Sequence, residues 1–228
     1  MTGQDPRLRE RILDEALALA AVDSWESVRL HAVAAKLGVP LDSVRLEFAE
    51  KEDLVDAFFD RADASMLAQS EAPLMATLEP RQRLQALMMA WFEPLTPHRR
   101  VVREMIGGKL EPGHLHVQIP GLLRVSRTVQ WLREAAGLDA TFLRRAAEET
   151  ILTGIYLATF ARWMRDDSEG STATADFLER CLRPAEQAAL SLGAWGRAMA
   201  GAAEVWPPAT GAADERQHAE RKQDGART

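Results

Sequence analysis

Apolar residues recur every three or four positions along most of the chain, the spacing that lines one face of an α-helix. Leu8, Ile12, Leu13, Ala16, Leu17 and Ala20 predict a first helix over 6–22, with Pro6 suited to its first turn. Leu30, Val33, Ala34 and Leu37 predict a short second helix, which Gly38 ends in the manner of a glycine just past a helix. Pro40 opens a third short helix reaching about Glu47, and Leu54, Phe58, Ala62 and Met66 mark a fourth over 51–69. After a break around Pro73 and Pro80, helices are predicted over 81–93, 98–105, 122–136, 140–165 and 172–192. The Gly- and Pro-rich stretch 107–121 reads as a loop or a broken helix. No alternation lasts long enough for a strand. The expected fold is all-α with about nine helices, divided into a small head (5–66) and a larger body (78–194). Residues 195–228 are expected to be mostly disordered, because beyond Pro208 the chain is polar, mixed in charge and without large apolar side chains.

Composition agrees with this picture. Of 228 residues 46% are hydrophobic, enough for a sizeable core, and the formal net charge of −6 offers no global attraction to nucleic acid. Cys181 is the single cysteine, which excludes an internal disulfide and a cysteine-based zinc cage. Glu10, Asp14 and Glu15 precede the apolar run 16–22, unlike the basic flank of an export signal. The apolar stretch near 151–161 falls short of the roughly 20 residues of a membrane span. A cytoplasmic protein without a membrane span is expected.

The second and third helices are short and joined by a tight glycine-containing turn, as in a helix-turn-helix, whose second helix enters the DNA major groove. An ordinary helical corner has the same spacing. The surrounding residues add to it. Ile12-Leu13-Asp14-Glu15-Ala16, then Val33-Ala34-Ala35-Lys36-Leu37-Gly38-Val39-Pro40, then Phe48 and Lys51-Glu52-Asp53-Leu54 resemble the N-terminal domain of the TetR family of repressors, over about 7–64. That resemblance implies a TetR-like fold and a homodimer that binds operator DNA and answers to a ligand. It places Arg29, Leu41, Ser43, Val44, Arg45 and Lys51 at the DNA, with Lys51 on a phosphate at a helix N-terminus. The chain departs from the family at three positions. Arg29 stands where Thr is usual, Arg45 where Tyr is usual and Glu47 where His is frequent. Residues 1–54 hold seven basic and eleven acidic side chains, a net −4 that opposes general DNA affinity. Asp42 and Glu47 carry this opposition onto the recognition helix itself.

A second resemblance begins at Thr153-Gly154-Ile155-Tyr156 and continues through Arg165-Asp166-Asp167-Ser168 to residues 173–182. This part is similar to TetR-fold lipid-binding proteins that assist ubiquinone biosynthesis, whose heads do not read DNA. Two functions therefore stand side by side: a TetR-type transcriptional regulator, and a lipid-binding accessory protein of that pathway without DNA binding.

In either case the resemblance implies a body enclosing a small apolar ligand of unknown identity. Met88, Trp91, Phe92, Met105, Trp131 and Tyr156 are candidates for its lining, or else for ordinary core. Ile151, Ile155, Trp163, Leu178 and Leu182 are candidates for a dimer interface, or for the core of the single chain. Glu111, His114 and His116 lie close in sequence, but in a Gly- and Pro-rich stretch without visible supporting residues, so no metal is expected. Glu148 and Glu149 are adjacent on a helix and point about 100° apart, so they are not expected to converge as a catalytic carboxylate pair. No nucleotide, nucleophile or metalloprotease motif is present, and neither enzyme activity nor a cofactor is expected.

Overall fold

The computed structural model describes residues 7–107, 115–140 and 142–205, and every regular element among them is helical. The elements are α1 (Leu8–Val22), α2 (Leu30–Leu37), α3 (Leu41–Glu47), α4 (Glu52–Ser70), α5 (Pro80–Phe92), α6 (Arg99–Gly107), α7 (Leu115–Ala136), α8 (Phe142–Trp163) and α9 (Thr172–Val205). Short 3-10 turns occupy Pro73–Thr77, Glu93–His98 and Glu169–Ser171.

Most boundaries follow the apolar period. α1 buries Ile12, Leu13, Ala16, Leu17 and Ala20 on one face. α2 ends on Gly38 at φ 65°, a left-handed conformation costly for a residue with a Cβ. The Val39 amide then donates to the Ala34 carbonyl (3.1 Å) and the Gly38 amide to Ala35 (3.3 Å), closing the helix end. α1, α2 and α3 pack together around Val33, Val44 and Phe48, all fully buried.

Two boundaries differ from expectation. α7 begins at Leu115, so it takes in Pro120 and Gly121. These residues weaken a helix, by about 3 and 1 kcal/mol respectively, without forbidding one. α9 continues to Val205, beyond the expected end at Leu192. Residues 206–228, most of the expected tail, lie outside the described residues, as do Pro6 and, of the Glu111–His114–His116 grouping, Glu111 and His114. The chain divides into two compact units, Met1–Pro184 and Ala185–Thr228, and the second is helical through Val205.

Within the first unit α4 serves both head and body. It packs on α1 at one end and on α5 and α7 along its length. Its buried residues include Leu54 and Phe58 near the head, and Ala62, Asp63 and Met66 in the body. The body core is an aromatic cluster. Trp91 meets Phe92 and Tyr156 edge-on at 5.2 Å and stacks on Phe59 at 5.9 Å, while Phe92 stacks on Trp163 at 5.3 Å. Such ring pairs add about 0.5–1.5 kcal/mol each to their area of burial.

Candidate nucleic-acid interface

α2 and α3 form a helix-turn-helix, and the outward side of α3 is its exposed surface. Leu41 and Leu46 are 51% and 64% exposed, apolar side chains left in solvent on a seven-residue helix. An open cleft of about 320 Å³ lies beside them, lined by Arg29, Leu30, His31, Leu41, Arg45 and Phe48. Ser43 is half-buried, and Arg29 and Arg45 are exposed. Val44 is a correction. It is fully buried and belongs to the head core, not to a DNA surface. The i, i+4 spacing of Val44 and Phe48 was the sequence signal for this, since both face the same way. Two residues passed over in the sequence, His31 and Leu46, lie on the exposed side.

Four basic side chains of the head, Arg9, Arg29, Arg45 and Lys51, are held by the chain itself. Arg29 Nη1 donates to the Glu26 carbonyl (2.5 Å) and the Val28 carbonyl (3.1 Å). Arg9 donates to the Glu47 carbonyl (2.5 Å) and lies 4.2 Å over the Phe48 ring. Lys51 Nζ donates to the Trp25 carbonyl at 2.6 Å and the Glu26 carbonyl at 3.3 Å, and sits 4.9 Å from the Trp25 ring centre. Burial pushes its ammonium below the ordinary lysine value. Lys51 therefore clamps the α1–α2 loop from the start of α4. Arg45 pairs with Asp42.

The head is tied to the body by a second group that the sequence reading missed. Arg100 on α6 donates to the carbonyls of Ala20 (2.8 Å), Ala21 (2.9 Å) and Asp23 (2.9 Å), capping the C-terminal end of α1. A cation there also suits the helix dipole. Glu104, one turn on, pairs with Arg100 at 2.6 Å and accepts the Trp25 amide at 2.7 Å. Arg61 on α4 reaches Glu10 (2.5 Å) and Asp14 (2.8 Å) on α1.

In the body, Met88, Trp91, Phe92, Met105 and Tyr156 are all buried, whereas Trp131 is 48% exposed. Asp63 is buried among them. Its Oδ1 accepts from Trp91 Nε1 (2.7 Å) and Thr128 Oγ1 (2.9 Å), and Oδ2 lies 3.5 Å from Arg124. Arg124 also pairs with Asp60 at 2.8 Å. Burial, reinforced by Asp63, pushes the Tyr156 hydroxyl well above its ordinary pKa, so it stays a neutral phenol.

Of the interface candidates, Trp163, Leu178 and Leu182 are buried within the single chain and Ile155 is nearly so; they are core. Ile151 is 40% exposed and Leu157 45% exposed, with Gly154 and Ala158 also outward on α8. Glu148 and Glu149 converge on an arginine of their own chain. Both reach the buried Arg133, at 3.4 Å each, through different guanidinium nitrogens. A glutamate side chain is long enough to recover the 100° divergence of its backbone, and the wide fork of an arginine accepts from both.

Comparison with known proteins decides the family. A solved TetR transcriptional regulator from Nitrosomonas europaea is 49% identical, with a TM-score of 0.72, over 79% of this chain and 98% of that one. The chain belongs to the TetR family of transcriptional regulators. More distant TetR regulators from Rhodococcus sp. RHA1 (19% identity, TM-score 0.58, 78% of this chain and 94% of that one) and Streptomyces coelicolor (16%, 0.53, 95% and 97%) share the fold. The COQ9 family matches residues 142–189. No curated protein matches. Among the described residues no helix is long and apolar enough to cross a membrane.

Proposed function

We propose that this TetR-family chain is a homodimeric, ligand-responsive regulator that binds operator DNA in the cytoplasm, without catalytic activity. The observation that carries the reading is the helix-turn-helix with an outward-facing α3, in a chain 49% identical to a TetR transcriptional regulator. Residues 5–66 act as the reading head and 78–194 as the body. Arg29 and Lys51 are both held on carbonyls of the α1–α2 loop, where loosening from a carbonyl frees a cation for phosphate. Selection from a random duplex pool at low salt tests the proposal. A palindrome is expected, with half-site centres about 34–36 Å apart or a multiple of this. A folded dimer that enriches nothing would overturn it.

The effector is a small apolar molecule held in the body near Trp91, Phe92 and Tyr156. Its signal must come from different affinities for two arrangements of the protein. Arg100 and Glu104 give α6 a direct grip on the end of α1 and on the start of the α1–α2 loop.

The dimer uses the outward face of α8, with Ile151, Gly154, Leu157 and Ala158 from each copy. Carboxylates there would be buried against their own symmetry mates. Ile151→Glu combined with Leu157→Glu is therefore expected to give a folded monomer in sedimentation velocity at micromolar concentration. A double variant that stays dimeric would rule this face out.

A second reading has its own support in the COQ9 match. As a lipid-binding accessory protein of ubiquinone biosynthesis, the chain would leave its acidic head unused. Mass spectrometry of purified protein carrying a stoichiometric isoprenoid lipid, together with failed DNA selection, would favour it.

A further inference from the structure

On α3, Asp42 and Arg45 stand three residues apart, and Arg45 Nε and Nη2 each lie 2.8 Å from the same atom, Asp42 Oδ1. Both side chains are exposed, at 64% for Arg45 and 68% for Asp42, so solvent competes for the pair and it adds little to stability. Its geometry matters more. Helical side chains already lean toward the N-terminus, and a carboxylate at i−3 draws the guanidinium further that way. Base edges are read from the N-terminal part of a recognition helix.

The hydrogen-bond inventory agrees. An arginine has five N–H donors. Asp42 Oδ1 accepts from Nε and pairs with the adjacent edge of Nη2, leaving both N–H groups of Nη1 and the Nη2 N–H beside them. Nη1 and Nη2 then present a parallel pair of donors, the arrangement that matches the O6 and N7 acceptors of guanine. A bare carboxylate on this helix would oppose DNA of any sequence. Compensated by Arg45, it restricts the rotamers of a long side chain instead. Arg29 and Lys51 are held differently, by backbone carbonyls at the foot of the head.

We infer that Asp42 is a positioning residue that orients Arg45 to read a guanine in each operator half-site. The inference rests on the regulator reading, and it turns an acidic residue that opposes DNA binding in general into a source of selectivity.

The test uses full-length protein and duplexes selected from a random pool. Affinity is measured for the selected operator and for the same duplex with one half-site guanine changed to adenine. The wild type is expected to discriminate about 10-fold or more. Asp42→Ala should lose most of that discrimination while keeping or raising its affinity for unrelated duplex, since a negative charge has gone. Asp42→Asn, which keeps an acceptor oxygen, should retain part of it. Arg45→Ala should lose all of it, and the double variant no more than Arg45→Ala alone. Asp42→Ala with unchanged guanine preference, or with affinity raised equally for both duplexes, overturns the inference while leaving the regulator intact. A wild type that selects no operator overturns both.

Discussion

Asp63→Leu is expected to lower the free energy of unfolding by about 3–5 kcal/mol, the usual cost of removing one member of a buried ionic group. The carboxylate accepts from Trp91 and Thr128 and faces Arg124. Leucine leaves an indole N–H and a hydroxyl unsatisfied in the core, each costing about 1–3 kcal/mol. It also leaves Arg124, whose side chain is only 10% exposed, relying on the more solvated Asp56 and Asp60. Nε and Nη1 of Arg124 are buried without a hydrogen-bond partner already, so the site has little tolerance for further loss. Urea unfolding followed by Trp fluorescence and circular dichroism measures the effect. Arg124→Leu added to Asp63→Leu should recover part of the loss, because the stranded charge is then absent. A single-variant cost below about 1 kcal/mol would show that this network does not hold α4 to α5 and α7.

The second large effect is expected at Asp166, in the turn between α8 and α9. The side chain is 2% exposed. It accepts from the Ser168 amide (2.9 Å) and hydroxyl (2.6 Å), and from the Thr174 amide (2.7 Å) and hydroxyl (2.5 Å). Burial alone would push its pKa up, but the hydrogen bonds from Ser168 and Thr174 prevail and hold it far below the ordinary 3.8. Asp166→Ala should cost about 2–4 kcal/mol, as two amides and two hydroxyls lose an ionised acceptor. The pH dependence has a definite sign. The folded state binds this proton less readily than the unfolded chain, so the contribution is complete above the ordinary carboxylate pKa and declines as pH falls below it. The stability gap between wild type and Asp166→Ala should therefore be constant from pH 7 to about 5 and shrink in more acid solution. A gap that instead widened below pH 4 would contradict the assigned hydrogen bonds.

These two carboxylates illustrate how far local pattern reaches. Apolar spacing announced α4, but nothing in a list of residues distinguishes Asp63, which is buried, from Asp56 and Asp60, which are exposed. The difference is made by Trp91, Thr128 and Arg124 arriving from α5 and α7. Asp166 likewise looks like any surface aspartate in the chain, and its role as the acceptor that organises the turn arises when Ser168 and Thr174 fold back onto it.

The helix-turn-helix, the left-handed stop at Gly38 and the all-helical architecture followed from the chain alone. Periodicity and turn chemistry act over a few residues, and those interactions survive in any tertiary setting. Partner choice does not. Lys51 turns to the Trp25 and Glu26 carbonyls because α4 places it beneath the α1–α2 loop. Val44 is buried while Leu41 and Leu46 are not, because α3 has a single face toward α1 and α2. Trp163, Leu178, Leu182 and Ile155 left the expected dimer surface for the core of their own chain, while Ile151 stayed outside. An apolar residue on a helix must leave water. Whether it does so against its own chain or against a second copy is decided by the neighbouring helices, whose positions are set by contacts distant in sequence.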